Sequence, residues 1–142
     1  MRSIPLFLLL GATLVSCTAA PAADTQRSAK NQARYQELIA GKVAGAPMNC
    51  LPHYLKADDM TVIDDSTIAF SRGPGSSPVY IAHMRGACTG LGGPGHNALV
   101  TRQVGASGLC SGDIGTVEDT MAHITVGSCS FGEFIPYTRP GA

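Results

Sequence analysis

Four cysteines spread through a glycine-rich stretch constrain this chain more than any other feature. Cys50, Cys88, Cys110 and Cys129 lie about twenty or more residues apart, each near Gly or Ser. Charged residues make up only 14% of the sequence, Gly and Pro number 17 and 9, and Trp is absent. A domain of that make-up buries a modest apolar area and needs covalent staples. Two disulfides would each contribute about 2–4 kcal/mol by restricting the unfolded chain. The competing use of the thiols is a metal site. Cys50-x-x-His53 supplies one half of a zinc-like spacing, but no second C-x-x-C or C-x-x-H follows. The pattern therefore predicts disulfides and an oxidising compartment, with three connectivities open.

The fifth cysteine, Cys17, ends an apolar run. Met1-Arg2-Ser3 is followed by a mostly apolar stretch from Ile4 to Val15, then by small residues. That run is shorter than the roughly 20 residues needed to span a bilayer, and the order of segments is that of an export signal. Ala20/Ala22 or Thr18/Ala20 would suit an ordinary signal peptidase, but Pro21 lies beside or within both sites and restricts the backbone there. Leu14-Val15-Ser16-Cys17 instead resembles the bacterial lipobox. The resemblance implies removal of residues 1–16, lipidation of Cys17 and a membrane anchor of several acyl chains, which hold a soluble domain stably. Thr18 rather than Asp follows Cys17, which by the enteric sorting rule favours the outer membrane, with the domain facing the periplasm. Taking Cys17 out leaves an even number of cysteines for two bridges.

Formal charge is balanced, yet unevenly placed. From Thr18 to Pro47 the bases are Arg27, Lys30, Arg34 and Lys42 against Asp24 and Glu37; from Met48 to Thr138 four bases face eight acids. An acidic domain argues against nucleic acid as a partner.

Hydrophobic patterning divides what remains. Residues 17–27 read as a tether rich in Ala. Ser28 to Ala40 reads as a helix with a narrow stripe of Tyr35, Leu38 and Ile39, ended by Gly41, so that 28–41 forms one unit that leans on the domain's edge or stays half ordered. Residues 48–138 form the stapled domain. Period-two runs predict strands over 60–64, 67–71, 79–84, 97–103, 114–117 and 122–126, with Phe131, Phe134, Ile135 and Tyr137 as a terminal apolar cluster. Turn signals between them predict an all-β fold of about six strands, a small antiparallel sandwich or partly open barrel with one short N-terminal helix.

Catalytic signals are weak. The run 90–98 lacks the Lys-Ser/Thr of a phosphate loop, and Pro94 removes an N–H. His53, His83, His96 and His123 show no metal-ligand spacing. Gly105-Ala106-Ser107-Gly108 is one residue short of a nucleophile elbow. The acid pairs Asp58-Asp59, Asp64-Asp65 and Glu118-Asp119, and Asp113, sit beside predicted turns, where Asp bonds its own backbone. The sequence thus points to no catalytic residue, no metal ligand and no cofactor.

Four segments, "TVIDDSTIAF", "MRGACTGL", "GLCSGDIGTVED" and "GSCSFGEFIPYT", resemble in this order a family of small exported proteobacterial proteins classed as a domain of unknown function. The likeness covers roughly 48–138 and implies export and a single fold, with no activity to carry over. Some members of that family keep only the cysteines matching Cys88 and Cys129, which implies Cys88–Cys129 with Cys50–Cys110. The expected function is a lipid-anchored envelope protein, not an enzyme, that binds an envelope partner or serves a structural role. The alternatives are a periplasmic inhibitor presenting the loop at 85–96, and a hydrolase using His83 or His96 with an acid.

Overall fold

The computed structural model describes residues 27–93, 95–102 and 108–141. The leader at 1–16, Cys17, the tether before Arg27 and residues 105–107 of the serine motif lie outside the described residues. The chain runs α1 (Ala29–Ile39), β1 (Val43–Ala44), a 3-10 turn (Ala57–Asp59), β2 (Met60–Asp64), β3 (Thr67–Phe70), β4 (Val79–Arg85), β5 (Asn97–Arg102), β6 (Ile114–Asp119) and β7 (Ile124–Thr138). All pairings are antiparallel, in the order β2-β3-β4-β7-β6-β5 with β1 beside β7. The sheet curls into a half-barrel, the partly open barrel of the two expected architectures.

Alternation along the strands gives the sheet two apolar faces. Ile68 and Phe70 of β3, Tyr80, Ala82 and Met84 of β4, and Phe131 and Phe134 of β7 point to the inner face. The three phenylalanines meet there, Phe70 edge-on to Phe134 at 6.0 Å and Phe131 stacked on Phe134 at 6.1 Å. Ile63, Ala69, Val79 and Ile81 point outward and are covered by Tyr35, Leu38 and Ile39 of α1. Ser28 caps that helix by accepting from the Asn31 N–H, and Gly41 ends it at a φ of 67°. No residue of α1 is buried, and its narrow stripe leans on the sheet, the first of the two outcomes that stripe allows.

The largest departure from the sequence reading is β7. A strand over 122–126 and a separate terminal cluster were expected; one strand of fifteen residues replaces both. Gly127, Gly132 and Pro136 look like breaks, but each fits its place in the ladder. A Cβ on Gly127 would stand 2.7 Å from the Thr89 carbonyl oxygen. Gly132 lies at the bulge where β7 passes β4, and a Cβ there would overlap the His83 carbonyl oxygen. Pro136 has no N–H to donate, and its carbonyl accepts from Gly45. Gly132→Ala should therefore lower stability by about 2 kcal/mol or more, since backbone rather than a flexible side chain must move. A shift of the urea midpoint measures this; an unchanged midpoint would contradict the bulge geometry.

Candidate functional site

The cysteines come together in pairs: Cys50 with Cys110 and Cys88 with Cys129. This coincides with the connectivity that the family resemblance implies. Cys88 and Cys129 are buried in the inner core, and Cys110 sits on a turn where the buried Asp113 carboxylate accepts the Cys110 N–H at 2.7 Å. Such bonds fit an oxidising, non-cytoplasmic compartment. Among the described residues no helix is long and apolar enough to cross a membrane.

One acid of each pair, Asp59, Asp64 and Asp119, serves a turn. Asp64 accepts from both the N–H and the hydroxyl of Ser66 at 2.8 Å, and Asp119 accepts from the N–H groups of Met121 and Ala122. Asp59 accepts from the Lys56 N–H. Asp65 reaches further, taking the Gly92 N–H at 2.5 Å, while its carbonyl accepts from Cys88. The glycine-rich loop thus gives an amide to a carboxylate of its own chain rather than standing open for a phosphate. It also lies flat: Cys88 and Leu91 are buried, and a Cβ on Gly92 would stand 2.9 Å from Asp64 Cα.

Arg27 was not singled out by the sequence. It donates to Asp64 Oδ2 and Thr67 Oγ1, both at 2.6 Å, and lies 4.5 Å from the centre of the Tyr35 ring. It clamps the start of α1 to the β2–β3 hairpin. Tyr35 in turn meets the Tyr137 hydroxyl at 3.2 Å; burial and this contact push its phenol up to about 12.

His53, His83, His96 and His123 are all exposed. His96 lies near Asp119 and its carbonyl accepts from Thr120, but none of the four histidines lines any of the three hollows described below. Among the described residues no three of His, Cys, Asp and Glu group so as to hold a metal.

The largest of the three hollows is a groove of about 450 Å³ between α1, the 3-10 turn and the loop after β3. Leu38, Val79 and the buried Ser71 line it with an apolar-to-neutral surface, and its charged residues are Arg34, Lys42 and Arg72 against Glu37, Asp58 and Asp59. The loop wall is held by Arg139, which donates to the Gly75 carbonyl and, through its N–H, to Ser77 Oγ. A second hollow of about 290 Å³ lies beside the Arg27 clamp. A third, of about 50 Å³, opens between Met60 of β2 and Leu99 of β5 and is lined by leucines. The volume of the first is that of a small-molecule site. Sequence reading passed over its charges because they come from three separated segments, and Asp58 and Arg72 read only as turn and loop residues.

No family model, curated protein or solved structure matches the chain.

Burial would raise the Asp64 carboxyl, but Ser66 and Arg27 outweigh it and hold it below the usual carboxylate range. A depressed folded value means the pair stabilises the fold above the unfolded pKa of about 3.9 and that this is lost as pH falls through the folded value. Asp64→Asn should cost about 1 kcal/mol at pH 7. Urea midpoints at pH 7 and pH 3 should then differ less in the variant than in the wild type; an equal difference would contradict the clamp.

Proposed function

We propose that this protein is a lipid-anchored component of the bacterial envelope whose β domain binds a ligand or partner rather than catalysing a reaction. The observation that carries the binding half of this reading is the groove under α1. It is already shaped, its loop wall is fixed by Arg139, and its lining brings charges of both signs to one concave surface without a histidine or a thiol. The inhibitor alternative draws less support, because the loop after β4 lies down on the sheet instead of projecting from it.

The anchor half rests on Leu14-Val15-Ser16-Cys17 together with the two disulfides. Ten residue steps separate Cys17 from Arg27, so a fully extended tether spans at most about 33–36 Å. The Arg27 clamp would then be the point where the tether meets the folded domain. On this reading the protein works close to the periplasmic face of a membrane, the outer one by the residue after Cys17. Cells fed an alkyne analogue of palmitate should label the wild-type protein and leave Cys17→Ser unlabelled and released from the membrane fraction. Equal label on both would overturn the anchor.

A further inference from the structure

Charged side chains in a concave site can be answered by one another, by solvent or by a ligand. Here the described part of the chain leaves several without an answer. Arg27 and Asp64 pair within 4.0 Å, outside the large groove. Within the groove, Arg34 donates to the Val62 carbonyl, Lys42 to the Leu38 carbonyl, and Asp59 accepts from the Lys56 N–H. Glu37, Asp58 and Arg72 make no side-chain hydrogen bond or ion pair among the described residues. Two unanswered carboxylates and an unanswered guanidinium therefore line a hollow of about 450 Å³ that also holds Leu38 and Val79.

A ligand with one sign of charge would meet repulsion as well as attraction in such a site. One that carries an ammonium and a carboxylate, with a short aliphatic body between them, meets neither conflict. From this we infer that the groove takes a zwitterionic small peptide or amino acid. Its carboxylate goes to Arg72, where a planar guanidinium can hold both oxygens, and its ammonium goes to Asp58 or Glu37. Its aliphatic atoms lie against Leu38, the half-buried apolar side chain of the lining. Gly75 and Ser77 of the loop wall are bonded to Arg139.

This inference rests on the binding reading above and names the ligand class of the same site. Dialanine is the probe, with its N-acetyl and C-amide forms, titrated into the nitrogen-15-labelled oxidised protein and followed by amide shifts. Saturable shifts are expected at Thr61, Ser71 and Arg72. Blocking either terminus should weaken binding by roughly tenfold, the loss expected for one charge-assisted hydrogen bond. Arg72→Ala should erase the preference for the free carboxylate, and the double variant Glu37→Ala/Asp58→Ala the preference for the free amine. All three side chains are exposed, so the fold should survive, and unchanged shifts elsewhere in the sheet verify it. Absence of saturable shifts with dialanine, equal binding of the blocked forms, or retained preferences in the variants would overturn the inference. The palmitate-label experiment is independent of this one, so its outcome judges the anchor separately.

Discussion

The bond between Cys88 and Cys129 determines how the chain can continue after β4. β4 leaves its partner at the Arg85–Ser130 pair, yet the next strand, β5, lies beyond both β7 and β6. The connection at 86–96 must therefore cross two strands, a long span for eleven residues of which five are glycine. Its buried members, Cys88 and Leu91, belong to the same core as Val117 and Phe131, so the crossing closes one end of the half-barrel. Asp65 takes an amide from the crossing, and the lack of side chains at Gly92 and Gly127 lets it sit close to the β2–β3 turn and to β7. Without the bridge these contacts would have to offset the conformational entropy of the loop alone.

The second bridge closes the opposite weakness. A half-barrel leaves its two edge strands, β2 and β5, facing across an open side. Residues 48–56 fill that side: Met48 bridges to Phe134, Cys50 to Cys110, and Leu51 and Leu55 pack toward Met60 and Leu99. On the outer face the β2 edge is guarded by α1, with Arg34 bonded to the Val62 carbonyl and Arg27 to Asp64. The same helix that shields this edge forms one wall of the charged groove. The groove is thus a by-product of covering the sheet, and its charges lie on segments whose positions the core fixes.

Much of this was legible in the sequence because alternation survives in short strands. The runs predicted at 60–64, 67–71 and 79–84 are short, rich in apolar and β-branched residues and bounded by turn signals, and the structure buries both faces of β3. The helix was legible from Ser28, Gly41 and three apolar residues. β7 was not, because the glycines and the proline that look like punctuation mark places where another backbone passes close by, and no local pattern separates those two meanings. The site was illegible for a different reason. Glu37, Asp58 and Arg72 are ordinary surface residues singly, and only the packing of α1 over β2 and β3 gathers them. Arg27 escaped notice because it looks like the end of a tether until its partner Asp64, thirty-seven residues away, is seen.

The proposed role joins these parts: an anchor that keeps the domain near a membrane, a stapled sheet that withstands an oxidising exterior, and a charged groove on the helical face. All of it requires that the two bridges, which close loops of 41 and 60 residues, supply a large share of the stability. Chain entropy puts each at on the order of 4 kcal/mol, comparable with the whole stability of a small domain. The most direct test is urea denaturation at 25 °C with and without a phosphine reductant. Loss of the cooperative transition on reduction, or its fall to a much lower urea concentration, is the predicted result. A reduced chain that unfolds at the same midpoint as the oxidised one would contradict it.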